Sequence, residues 1–303
     1  MARRRNAVAW IKRVMRTVVP LALAAGASMA HAAAPATACD AAHASRDAYD
    51  MQVPFEVIDG RIYVQAKVNG QAPLTFALDT GASGLGRADA SLVARLGLPI
   101  EKPTLNSDGV KTAEADTTRF DTLDLGGLVR HDLNVITRDY NSKMAPEAAF
   151  SGIIAREFFA DGVLVIDYPR KTVSFSRRLA LSPGQAGGLT YERPFRVPVS
   201  IGDIETVGNL DTGANVAFVL PQALFDQVGN APAEAAGKAR LSNVQVDTQR
   251  ATVHGPFRVG DLRLTDVEVR ISERYPELLV GAHALQGAVV VIDQRSKAVA
   301  VCR

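Results

Sequence analysis

Asp79-Thr80-Gly81-Ala82 ends one apolar stretch of the chain, Leu74-Thr75-Phe76-Ala77-Leu78, and Asp211-Thr212-Gly213-Ala214 ends another, Val207-Gly208-Asn209-Leu210. One aspartate after an apolar run is ordinary. The same tetrapeptide at the same place in two similar halves suggests two carboxylates meeting at a pseudo-twofold axis. Like charges in contact cannot both ionise, so one carboxyl gives up its proton easily and the other keeps it. Such a pair can activate a water with one member while the other polarises a carbonyl. That is the chemistry of peptide-bond hydrolysis without a metal or a covalent nucleophile, and the protons belong to the pair rather than to either residue. Gly81 and Gly213 permit the tight turn that brings backbone N–H groups toward the carboxylates. Thr80 and Thr212 offer hydroxyls that can lock the two loops together.

The elements that must position this pair also come twice. Gly70 and Gly202 are turn glycines ahead of the two motifs, and a period-two strand precedes each. Ile62, Val64, Ala66 and Val68 alternate with Tyr63, Gln65 and Lys67; Phe195, Val197, Val199 and Ile201 alternate with Arg196, Pro198 and Ser200. Pro198 predicts an edge or a bulge in the second of these strands. After each motif a short helix is expected, with Leu92 and Leu96 matching Leu224 and Val228, and with Gly97 and Gly229 as its stops. Late in each half, Ile153-Ile154-Ala155 and Leu279-Val280-Gly281 are followed by apolar strands ending in Asp167 and Asp293, which read as turn residues. Ser182 to Gly188 is a turn-rich connector. The expected organisation is a leader (1–32), an N-terminal arm (33–50), a first lobe (51–181), a linker (182–188) and a second lobe (189–303), each lobe a small, mostly antiparallel β-barrel.

Arg3, Arg4, Arg5, Lys12, Arg13 and Arg16 precede the apolar stretch Val18 to Ala30, and Ala30-His31-Ala32 fits a small-x-small cleavage rule. This reads as a secretory signal peptide, too short in its apolar core for a comfortable membrane span, and implies a secreted or periplasmic protein. Of 34 basic residues six would leave with the leader, so the remainder has 28 against 32 acidic residues, a net charge of −4. Neither a nucleic-acid partner nor a membrane partner after cleavage is expected. The two cysteines, Cys39 and Cys302, are either one disulfide between the chain ends or two unpaired thiols; the sequence leaves both open.

On these residues the chain resembles the retropepsin-like and pepsin-like aspartic proteases, in a secreted bacterial single-chain form. The Asp-Thr-Gly-Ala motifs and Ile153-Ile154-Ala155-Arg156 are similar to the retroviral enzymes, and the resemblance runs from about Phe55 to Val301. It implies an all-β, bilobal fold with the site between the lobes, Asp79 and Asp211 as the catalytic dyad, and Thr80 and Thr212 in an interlocking hydrogen-bond network. Ala82 and Ala214 lack the hydroxyl that pepsins aim at their dyad, so this pair is expected to titrate higher than pepsin's and to work from mild acid to near neutrality. Ala155 stands where the family has glycine, which predicts a slightly displaced loop in the first lobe. Asn106 to Val110 is a hairpin tip whose Asp108 and Gly109 are flap candidates, with Asp108 and Asp124 otherwise read as solvated.

The expected substrate is a polypeptide bound extended in the interlobe cleft, paired like an added strand. No cofactor and no metal is expected, because His43, His131, His254 and His283 are scattered without ligand spacing. His283 lies nearest the inferred site. With both aspartates in one chain, a monomer suffices. The first rival reading is a catalytically inactive peptide-binding module of the same fold. A two-lobed ligand-binding protein would need βαβ patterning, which the sequence lacks.

Overall fold

The computed structural model describes residues 37–142, 144–229 and 231–303, so the expected signal peptide lies outside the described residues. Strands dominate, in three sheets. The first lobe is built on an eight-stranded sheet in the order Glu56–Ile58, Arg61–Val68, Leu74–Asp79, Gly152–Ala155, Gly86–Asp89, Leu128–Arg138, Thr112–Leu125, Ile100–Ser107. The second is built on a nine-stranded sheet in the order Glu234–Arg240, Gln245–Val253, Val267–Ser272, Phe218–Pro221, Leu278–Gly281, Ile204–Asp211, Arg196–Ile201, Phe257–Val259, Leu262–Leu264.

The inner strands of the two sheets repeat one pattern. Leu74–Asp79 runs parallel to Gly152–Ala155, which is antiparallel to Gly86–Asp89, which is parallel to Leu128–Arg138. Ile204–Asp211 runs parallel to Leu278–Gly281, which is antiparallel to Phe218–Pro221, which is parallel to Val267–Ser272. Asp79 therefore pairs with Ala155 as Asp211 pairs with Gly281. The loop at Ala155 is not displaced: its residue is fully buried and keeps the register of its glycine counterpart.

The reason these segments are strands lies in their alternation. Ile62, Val64, Ala66 and Val68 all point into the core while Gln65 and Lys67 face solvent. Asn69 and Gly70, both at positive φ, close the hairpin to Leu74–Asp79. Pro198 sits opposite Val207 in a part of its strand paired on one side only, since Phe257–Val259 reaches no further than Ser200. The strand is thus interior in order yet edge-like at the proline. The two short helices form at Ala90–Leu96 and Gln222–Val228, but only the first ends as the sequence suggests. Gly97 takes the left-handed φ of 62°, whereas Gly229 is extended at −70° and presses on the Phe225 ring, where a Cβ would come within 2.7 Å.

The third sheet is not foreshadowed by two separate barrels. Its order is Met51–Pro54, Thr172–Ser176, Val163–Asp167, Val289–Asp293, Ala298–Cys302, Leu189–Thr190, and its centre joins the halves through Val163–Asp167 against Val289–Asp293. Both faces of these strands are buried, as their continuous apolar runs require. One face packs on Ala38 and Ala42 of the 3₁₀ helix Ala38–His43, so the N-terminal arm is a lid on this sheet. Cys39 and Cys302 are disulfide-bonded with Cα atoms 5.7 Å apart, a closure of the kind that adds about 2–4 kcal/mol. Asp167 and Asp293 are buried turn residues: Asp167 accepts from the Arg170 N–H, and Asp293 from the Leu181 and Arg295 N–H groups.

Candidate active site

Asp79 and Asp211 end equivalent strands and come together between the lobes. Oδ1 of Asp79 accepts from the Gly81 and Ala82 N–H groups at 2.8 and 2.9 Å. Oδ1 of Asp211 accepts from the Gly213 N–H at 2.9 Å. How closely the carboxylates approach is recorded by the glycines. A Cβ on Gly81 would lie 2.5 Å from Cγ of Asp211, and one on Gly213 would lie 2.4 Å from Cγ of Asp79. Each motif's glycine is thus the floor under the opposite motif's carboxylate, and only the absence of a side chain lets the pair meet.

Behind the carboxylates the threonines interlock. Thr80 Oγ1 donates to the Leu210 carbonyl at 3.1 Å and accepts from the Thr212 N–H at 3.1 Å. Thr212 Oγ1 donates to the Leu78 carbonyl at 2.9 Å and accepts from the Thr80 N–H at 3.1 Å. Both threonines are buried, so all four bonds are shielded from water. Burial, and then the charge of Asp79, push the Asp211 carboxyl well above the usual carboxylate range; the Gly213 N–H opposes that rise. Ala82 and Ala214 add no hydroxyl.

The glycine carbonyls of the two motifs are also held. Arg156 Nη1 donates to the Gly81 carbonyl at 3.1 Å. Arg61 Nε, from the first lobe, donates to the Gly213 carbonyl of the second at 2.8 Å, and its Nη2 reaches Asn215 Oδ1 at 3.1 Å. Asn215 Nδ2 returns a bond to Asp59 Oδ2 at 2.5 Å. His283 approaches the same turn, with Nε2 3.8 Å from Asp59 Oδ1, and so touches the interlobe seam rather than the dyad. Neither Arg61 nor Asn215 is visible as a site residue in the sequence; the Asp59-Gly60 turn before Arg61 is the one local signal.

The hairpin expected at Asn106 to Val110 is present, but its tip is 108–111, because Asn106 and Ser107 still pair with Ala113 and Thr112 between the strands Ile100–Ser107 and Thr112–Leu125. Asp108 is not free in solvent. Its Oδ1 accepts from the Val110 and Lys111 N–H groups and its Oδ2 from the Asn243 N–H at 2.6 Å. Asn243 belongs to the corresponding hairpin of the second lobe, between Glu234–Arg240 and Gln245–Val253. Its Nδ2 donates to the carbonyls of Asn106 and Lys111, both at 2.7 Å, and Arg138 Nη1 donates to Ser242 O and Asn243 Oδ1 at 2.6 and 2.7 Å. The two hairpins are therefore tied tip to tip. Gly109 rests beside the Tyr275 ring, where its Cβ would be 3.2 Å from Cε2. Burial raises the Tyr275 hydroxyl, and the charges of Asp211, Glu277 and Asp108 raise it further. Asp124 ties its own turn by accepting from the Gly127 N–H.

Among the described residues no group of histidine, cysteine and acidic side chains has the arrangement to hold a metal ion. The arrangement brings two carboxyl groups together between the lobes, where like charges in contact favour one shared proton. An aspartyl protease family model matches residues 64–158 and 197–284, covering both motifs. No curated protein matches the chain.

Proposed function

We propose, from the premise that this chain belongs to the aspartyl protease family, that it is an active single-chain aspartic endopeptidase. The observation that carries this reading is the reciprocal approach of each motif glycine to the opposite carboxylate, because an inactive binding module has no need of two touching carboxyl groups. In the mechanism, a water held by Asp79 and Asp211 attacks the peptide carbonyl. One carboxyl takes the water's proton while the other donates its proton to the carbonyl oxygen, leaving a tetrahedral gem-diol. Proton transfer to the departing nitrogen then breaks the C–N bond. With its carboxyl raised by burial and by Asp79, Asp211 is the member assigned the shared proton, which describes one microstate of the pair. The substrate chain runs extended through the cleft, under the hairpin tips, which part to admit it.

A secreted or periplasmic location is part of the same proposal. The basic and apolar leader supports it, as does the Cys39–Cys302 disulfide, a bond that persists in oxidising compartments. Among the described residues no helix is long and apolar enough to cross a membrane.

The test is digestion of a mixed peptide library by the chain, beside Asp79→Asn and Asp211→Asn, from acid to neutral pH. Cleavage that both substitutions abolish and a statine-type inhibitor blocks is expected. A folded protein that cuts nothing sinks the reading in favour of a peptide-binding module. Cleavage surviving either substitution places the activity elsewhere.

A further inference from the structure

The repeat allows the walls of the cleft to be compared position by position. Asp79 pairs with Ala155 and Asp211 with Gly281, so Ile154 and Val280 are equivalent. Ile154 faces Gly86 and Val280 faces Phe218, which makes Arg87 the counterpart of Val219. Further along the same strands Asp89 faces Arg138 and Pro221 faces Ser272, which makes Arg138 the counterpart of Ser272. The first lobe therefore carries two guanidinium groups at positions where the second carries none.

Arg87 links the motif loop to the first-lobe hairpin, and Arg138, on the neighbouring strand, reaches the second-lobe hairpin. Arg87, only 8% exposed, donates from Nη2 to the Ser83 carbonyl at 3.4 Å, just past the first motif, and to Asn106 Oδ1 at 3.3 Å in the hairpin. Arg138 spends Nη1 on Ser242 and Asn243 of the second-lobe hairpin, while its Nε and Nη2 are buried without a hydrogen-bond partner among the described residues. Among the described residues neither guanidinium forms an ion pair with the nearby acids Asp89 and Asp108. Asp89 is occupied by Ser91 and by the Tyr140 N–H, and Asp108 by Val110, Lys111 and Asn243. The Tyr140 hydroxyl is raised by burial, while Arg87 and Arg138 draw it back; the Ser83 carbonyl, just past the first motif, is the contact that ties Arg87 to the dyad's loop.

Buried guanidinium nitrogens without hydrogen-bond partners are costly, and a carboxylate brought by a ligand removes that cost. The two unpaired nitrogens are also the right two. Nε–H and Nη2–H form one edge of the guanidinium plane, a pair of parallel donors that matches the two oxygens of a carboxylate. We propose that Arg138, backed by Arg87, is a specificity determinant that selects an acidic side chain on one side of the scissile bond. The inference rests on the peptide-hydrolase reading for the identity of the substrate. When the hairpins part to admit a peptide, the Nε–Nη2 edge is uncovered. A glutamate or aspartate then takes that edge, replacing the bonds from Nη1 to Ser242 and Asn243 that are given up when the hairpins separate.

The experiment uses statine-centred hexapeptides that carry Glu or Gln at each flanking position in turn, with binding measured by calorimetry. At one side of the statine the Glu peptide is expected to bind about tenfold to hundredfold tighter than its Gln twin. That ratio falls to about one in Arg138→Gln, and Arg138→Lys, which keeps the charge and loses the fork, retains only part of it. Equal affinities at every position in the wild-type chain overturn the inference, and so does a preference that persists in Arg138→Gln. If library peptides are cut but the twins bind equally, the specificity inference alone fails. If the Glu preference holds but nothing is cut, hydrolysis alone fails. Binding of neither twin overturns both.

Discussion

In the first lobe the Gly81 carbonyl is held by Arg156 from the same lobe, whereas in the second the Gly213 carbonyl is held by Arg61 reaching across from the first. The dyad itself shows no such difference: each carboxylate stands over the other motif's glycine, and each threonine donates to the carbonyl of the residue before the other motif's aspartate. Symmetry is kept at the reacting centre, where two carboxyl groups must share one proton, and relaxed one layer out, where only position matters. The sharpest way to break this comparison is to add one methyl to each motif. Gly81→Ala and Gly213→Ala each drive a Cβ to within 2.5 Å of a carboxylate carbon. Both should lower kcat by about a hundredfold or more, since small displacements of reacting groups cost that much. Activity that survives in one variant and not the other would show the two carboxylates to be unequal in their tolerance.

Position 155/281 should separate the lobes instead of equating them. Gly281 packs under backbone, where a Cβ would lie 2.3 Å from the Val216 carbonyl oxygen, while its counterpart Ala155 is accommodated with its side chain fully buried. Gly281→Ala is expected to cost about 2–4 kcal/mol, and Ala155→Gly only about 1 kcal/mol, by denaturant unfolding. Equal costs would mean that the backbone around Gly281 yields to a Cβ as readily as the Ala155 site gives one up. Below Gly281→Ala, and symmetric, are Thr80→Val and Thr212→Val. Each removes one donated and one accepted bond from the same buried network, and each should cost about 1–3 kcal/mol. A double variant that loses less than the sum of the two would show that they act as one unit.

What the sequence disclosed about this molecule is tied to local period and repetition. The motif strands, the turns at Gly70 and Gly202, and the two helices after the motifs follow from alternation and from residues whose conformational limits are local. The tie between Asp108 and Asn243 does not, because it depends on two hairpins from different halves meeting, and nothing at either position records the other. The shared sheet escapes for the same reason. Val163–Asp167 and Val289–Asp293 read as buried strands from their apolar runs, but their pairing with each other is a long-range choice. Gly229 shows the opposite failure: the repeat suggests a helix stop like Gly97, yet packing against Phe225 gives that glycine a different task. The cations at Arg87 and Arg138 become conspicuous only once register equates them with Val219 and Ser272.

The gentlest test of the comparison is the pH dependence of stability, where one acid from each half acts in opposite directions. Asp161, following the first-lobe sheet, accepts from Arg130 and Arg177, and the Arg130 contact foremost lowers its carboxyl to about 2. A lowered carboxyl contributes stability that is present above its ordinary value of 3.8 and lost as pH falls toward 2. The Asp211 carboxyl is raised, so the sign reverses. Below 3.8 it is protonated in the folded and unfolded chain alike. As pH climbs, the unfolded chain releases this proton first, and stability falls until the folded carboxyl ionises too. Each such group changes stability by at most about 1.4 kcal/mol per pH unit inside its window. Urea midpoints from pH 2 to 8 should therefore rise and then decline for the wild-type chain. Asp211→Asn should flatten the declining limb, and Asp161→Asn should flatten the rising one by a smaller amount, because that acid is partly exposed and its ion pairs are screened. If Asp211→Asn leaves the upper limb unchanged, the dyad's proton is not held by the fold, and the closeness of the two carboxylates must be relieved in solution by a shift of the motif loops.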